Sequence, residues 1–183
     1  GDYVKDLNEN VSSIFKKPKK FIFNKSDFDK EFFEKALDKF HSRRSCRKFS
    51  SKKPDFKVVY DIIDASLKAP CAGGIQNVYV IVIENSHHIH DLARVHGEQN
   101  WAGEAPLMLA VVYDNSEFEK LYPHDSDNLS LQNSVFVSSS IVNLLSLTDL
   151  GCCVIIAGSN EETCKILGVN PSMFVSCLIP IGY

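Results

Sequence analysis

Basic residues are outnumbered in this chain: 20 Lys and Arg face 23 Asp and Glu over 183 residues, a formal net charge of −3. A nucleic-acid-binding protein usually shows a marked basic excess, so the balance argues against that class. Long apolar runs are also missing. No stretch approaches the ~18 residues that a membrane helix needs, and the N-terminus shows no apolar signal segment, so a cytoplasmic protein without membrane contact is expected. The six cysteines, Cys46, Cys71, Cys152, Cys153, Cys164 and Cys177, include no Cys-x-x-Cys pair and no zinc-like spacing. They are read as reduced thiols that pack as small apolar residues. Neither Gly-x-Gly-x-x-Gly nor Gly-x-x-x-x-Gly-Lys occurs, and no serine sits in a nucleophile elbow. His87, His88 and His90 open a helix without placing three imidazoles on one face, so no metal is expected there.

What is present is an ordinary globular composition, 44% hydrophobic and 23% charged, and enough length for one domain. Residues 1–25 form a polar arm with Lys16-Lys17-Pro18-Lys19-Lys20 and then Phe21-Ile22-Phe23, and the domain proper spans 26–183. Ser26 and Asp29 open a helix carrying Phe28, Phe32, Phe33, Leu37 and Phe40. A second helix starts at Pro54-Asp55 and stops at Ala69-Pro70, where proline disfavours helical angles in the residue before it. Residues 78–83, 107–113, 153–157 and 175–181 are short β-branched or apolar runs, predicted as buried strands. Helices are predicted near 87–96, 131–149 and 161–167, the last opened by Ser159 and Glu162 as a capping box. The 131–149 helix is apolar or small around most of its girth, which suits a core or a subunit interface. Residues 120–127 are expected as a polar loop. Strands and helices alternate with uneven crossovers, so the fold class is α+β with a mixed sheet.

Two segments carry the chemistry. Arg43-Arg44-Ser45-Cys46-Arg47 packs three guanidinium groups and a hydroxyl into five residues, a donor set suited to phosphate oxygens. Alone it reads more readily as a solvated helix end, where basic groups complement the dipole. Ala69-Pro70-Cys71-Ala72-Gly73-Gly74-Ile75-Gln76 joins a helix to a strand with small residues that let the backbone approach a flat ligand.

Together these segments resemble the nitroreductase family, with its Arg-x-Ser-x-Arg/Lys and Ala-Pro-Ser-x-x-Asn-x-Gln-Pro-Trp motifs. Ala105-Pro106, Leu150-Gly151-Cys152-Cys153 and the terminal Ile181-Gly182-Tyr183 follow in family order, so the resemblance covers about 40–183. It implies a nitroreductase-like fold and an FMN-dependent homodimer with the flavin at the subunit interface. Arg43, Ser45 and Arg47, with Arg44 close by, would hold the phosphate and ribityl chain. Pro70, Cys71 and Ala72 of the other subunit would line the ring, Gln76 would meet the ribityl or pyrimidine side, and Gln99 or Asn100 the pyrimidine edge. Backbone at Ala157-Gly158-Ser159 would approach N5. The chemistry would lie on the flavin, with NADH or NADPH as donor and a nitroaromatic, quinone or similar conjugated acceptor; no side-chain nucleophile is implied. Gly74 replaces the family asparagine, Asn77-Val78 replaces Pro-Trp, and relatives continue past the position of Tyr183 with a further basic residue. These departures keep a non-catalytic flavin-storage or sensing protein open as the alternative, with a Cys152-Cys153 thiol sensor behind it.

Overall fold

A computed structural model describes residues 28–97, 99–157 and 161–183. The expected arm at 1–25 and the Ser26 and Ser159 caps lie outside those residues. The chain divides at Glu34/Lys35. Helix α1, Lys30–Ser42, is opened by Asp29, whose carboxylate accepts from the Phe32 N–H at 2.9 Å. None of its residues is buried.

Within Lys35–Tyr183 the order is α2 (Phe56–Ser66), β1 (Val78–Ile83), α3 (Ser86–Val95), α4 (Asn100–Gly103), β2 (Leu107–Tyr113), α5 (Ser116–Leu121), α6 (Ser126–Leu145), β3 (Gly151–Cys152), β4 (Ile155–Ile156), α7 (Glu161–Leu167) and β5 (Phe174–Gly182). The strands run β1-β2-β5-β3, with β4 also on β5. β2 is buried along its whole length and sorts its side chains by parity. Leu107, Leu109 and Val111 join Val59, Ile63, Ile141 and Leu145 on the α2/α6 face. Met108, Ala110 and Val112 join Ile89, Leu92 and Leu178 on the α3 face. Helices therefore cover both faces of the sheet, as period-2 burial on a central strand requires.

The α+β class holds, but the sheet differs from the mixed one expected: every pairing among the described residues is antiparallel. Ile83, the last residue of β1, pairs with Met108 near the start of β2. The α3–α4 excursion thus leaves and returns at the same end of the sheet, as an enlarged hairpin does, and the strand comes back reversed.

The strand expected at 153–157 is instead two short pieces. β3 pairs Cys152 with Ile181 and β4 pairs Ile155 with Leu178, one continuous register in which Cys153 would face Pro180. Proline has no N–H to give to the ladder, so pairing lapses there. The long helix starts and stops four to five residues earlier than expected, at Ser126 and Leu145. Its end is capped by hydroxyls: Ser146 donates to the Asn143 carbonyl at 2.6 Å and Thr148 to that of Leu145 at 2.7 Å. The expected 120–127 loop is shortened from both sides by α5 and α6. No helix among the described residues is long and apolar enough to cross a membrane.

Candidate functional site

After α1 the chain runs without helix or strand over 43–50 and is strapped to one end of the sheet. Cys46 donates its N–H to the Cys152 carbonyl at 2.9 Å and Ser50 to that of Tyr183 at 2.7 Å. Two glycines make this approach possible. A Cβ on Gly151 would lie 2.7 Å from Cys46 Cβ, and one on Gly182 would lie 2.8 Å from Pro106 Cδ and 3.0 Å from Phe49 Cδ1.

Extended backbone alternates its side chains, so residues two apart share a face. Cys46 is tucked against Gly151, and Arg43, Ser45 and Arg47 line a cavity of about 450 Å³ on the other side. This volume lies in the range of small-molecule sites. The opposite wall is α6, through Val135, Ser138, Ser139, Val142 and Asn143, and Cys152 to Val154 close it. Arg43, Ser45 and Arg47 are exposed, and with the described residues their side chains form no hydrogen bond or ion pair. Arg47 carries its guanidinium carbon 5.7 Å from the centroid of the Trp101 ring. Arg43 lies close enough to Cys152 to favour its thiolate, yet burial wins and pushes that thiol up to about 11. Arg44 is turned away: its Nη1 donates to the carbonyls of His41 at 3.1 Å and Arg43 at 2.9 Å.

The small-residue turn stands elsewhere in the chain. Ala72–Gly74 forms a single 3-10 turn, with Gly73 and Gly74 at φ of 59° and 72°. That left-handed region favours glycine. The turn is pinned by Asn133 of α6, which accepts from the Ala72 N–H at 2.9 Å and donates to Ile75 O at 3.3 Å and Asn77 Oδ1 at 3.0 Å. Asn77 in turn donates to Ser130 Oγ at 2.9 Å. Pro70, Cys71 and Gln76 line a recess of only about 10 Å³ with Asn133 and Val137, and Gln76 donates to Cys71 Sγ at 3.6 Å. Ala72 and Gly74 line neither space, and nothing stands within 4 Å of a Cβ built on Gly74. Ala157 is buried and donates its N–H to Ser176 O at 3.2 Å. Gly158 and Ser159 lie outside the described residues. Gln99 donates to the His96 carbonyl at 3.1 Å.

One chain thus brings Arg43, Ser45 and Arg47 together and keeps Pro70, Cys71 and Gln76 apart from them, with α6 between the two groups. Sequence reading missed the α6 wall. Its signal was available: 135, 138, 139, 142 and 143 are the i, i+3, i+4, i+7, i+8 positions of one helical face.

The model of the nitroreductase family matches residues 41–98 and 86–183, which takes in the strap, the small-residue turn and the sheet behind them. The chain belongs to the nitroreductase family. No curated protein matches it. Among solved structures, NfrA2 of B. megaterium superposes with a TM-score of 0.73 at 18% identity, over 81% of this chain and 66% of that one. An NADPH:FMN oxidoreductase from Vibrio harveyi, solved with NAD+, gives 0.71 at 18% identity over 81% and 68%. An FMN-dependent nitroreductase from Clostridium difficile R20291 gives 0.68 at 21% identity over 80% and 86%. This chain therefore spans about two thirds of the first two proteins and most of the third. These likenesses support the nitroreductase-like fold.

Proposed function

We propose that this nitroreductase-family chain is an FMN-dependent oxidoreductase acting as a homodimer, with NADH or NADPH as donor and a nitroaromatic, quinone or similar conjugated compound as acceptor. The observation that carries the proposal is the cavity of about 450 Å³ lined by Arg43, Ser45 and Arg47, whose side-chain donors no described residue takes up. A phosphate monoester suits that set: two guanidinium forks and one hydroxyl can cover its oxygens with charge-assisted bonds. The residues present fit FMN, and when bound it supplies the hydride-accepting and hydride-donating ring while the protein supplies place and polarity. Arg43, Ser45 and Arg47 would anchor the phosphate end, and Ser138, Ser139 and Asn143 would offer hydroxyls and an amide to the polyol chain.

The separation of the two motif groups supports a shared site. Pro70, Cys71 and Gln76 stand on the far side of α6 from the arginines, so a second copy is the natural source of a ring-lining turn. Leu131, Val135 and Phe136 leave α6 with an apolar side 45 to 50% exposed, and Ile156 is 81% exposed. Such a face favours burial against another chain.

The test is the visible spectrum of the purified protein under anaerobic conditions, paired with its sedimentation. A flavin band at about 450 nm, bleached by NADH or NADPH, on a species of twice the chain mass is the expected result. A band that neither donor bleaches points to the storage or sensing alternative. Colourless monomer that FMN does not reconstitute defeats the proposal.

A further inference from the structure

Among the described residues, Arg47 is the one cavity residue whose charged group lies over an aromatic ring. Its guanidinium carbon stands 5.7 Å from the Trp101 ring centroid, and Phe49 lies on the same ring with centroids 6.5 Å apart. Trp101 is itself packed against the core. It belongs to α4, packs half-buried against the α3-side core, and stands two residues before Gly103, where a Cβ would lie 2.5 Å from His90 Nδ1 of α3. The preceding helix, α3, therefore packs closely on α4 beside Trp101. Ala102 donates its N–H back to Gln99 at 2.8 Å, which tightens the same turn.

We propose that Trp101 is a positioning residue that holds the Arg47 guanidinium ready for the phosphate end of the ligand. A guanidinium over an aromatic face is attracted by the ring quadrupole and keeps its in-plane N–H donors free. The contact thus orders a long side chain without using up the groups that grip the anion, so less freedom is lost when the ligand arrives. Arg43 has no such ring among the described residues, and its charge acts on Cys152. The two arginines are therefore held by different means, and only Arg47 depends on Trp101. The inference rests on the flavin-phosphate reading above.

Titration of this protein with FMN and with riboflavin, which has the same ring and polyol but no phosphate, separates the possibilities. Trp101→Leu is expected to weaken FMN binding roughly two- to thirtyfold, with Trp101→Phe in between and riboflavin affinity unchanged. In an Arg47→Ala background Trp101→Leu costs nothing further, whereas in an Arg43→Ala background it keeps its full effect. Equal losses for FMN and riboflavin, a loss that persists undiminished without Arg47, or no loss at all would overturn the assignment. If Arg43→Ala and Arg47→Ala themselves bind FMN like the parent, the phosphate reading falls first and the role of Trp101 with it.

Discussion

Burial pushes the thiols of Cys152 and Cys177 up to about 11, with Arg43 acting against the shift at Cys152 and the Ser138 and Ser176 hydroxyls acting against it at Cys177. Both stay protonated at neutral pH, which works against thiolate chemistry at the Cys152-Cys153 pair. The shifts also carry a stability consequence. An acid whose folded value is raised keeps its proton in the folded state after the unfolded chain has released it. Stability from these thiols is therefore intact below about pH 9 and falls as pH rises towards about 11. The loss is of order 2–3 kcal/mol per thiol. Urea unfolding between pH 7 and pH 10.5 should show a shallower alkaline decline for Cys152→Ser and for Cys177→Ser than for the parent. Parallel declines in all three proteins would contradict this account. At this scale, Arg43, Ser45 and Arg47 were legible because three guanidinium groups and a hydroxyl fall within five residues in a pattern that resembles the family motif. Trp101 and Cys152 were not, since they meet the strap only through the fold and no local pattern marks them.

Among the elements, α6 has the largest share in the site. Its inner side buries Ser130, Asn133, Ser134, Val137, Ile141 and Leu145, and its neighbouring face lines the cavity. Asn133 ties the helix to the 72–77 turn by three bonds. Asn133→Ala leaves the Ala72 N–H and its other partners without their bonds, at a cost of about 2–4 kcal/mol. Denaturant unfolding is expected to show that loss, and hydrogen exchange at the Ala72 amide should accelerate with it; a change under about 0.5 kcal/mol would show that the network is dispensable. The outer bounds of β1 and β2 were legible because short β-branched runs have few other uses in a buried sheet. The interruption between β3 and β4 was not, because its cause is Pro180, a residue some 26 positions away that matters only once β5 is paired. The bounds of α6 were misread for a related reason. The helix stops at Leu145 while apolar residues continue at Leu147 and Leu150, so periodicity alone overruns its end.

For the molecule as a whole, the fold explains why the two motifs needed each other. Helices on both faces bury the sheet, and the strap at 43–50 can close over its end only because Gly151 and Gly182 have no side chains. That puts the arginines on one side of α6 and the small-residue turn on the other. The family pattern was readable from residues in order along the chain, but their separation in space was not, because spacing in sequence does not say which side of a helix a turn will reach. Arg43, Ser45 and Arg47 are proposed as the phosphate grip of a flavin site. Its most direct test is the FMN dissociation constant of the parent, Arg43→Ala and Arg47→Ala, followed by flavin fluorescence on the full chain. Each substitution removes a bond to a charged group, so each should cost about 1.5–3 kcal/mol, or roughly ten- to more than a hundredfold in affinity. Both variants retaining FMN as tightly as the parent would contradict the account.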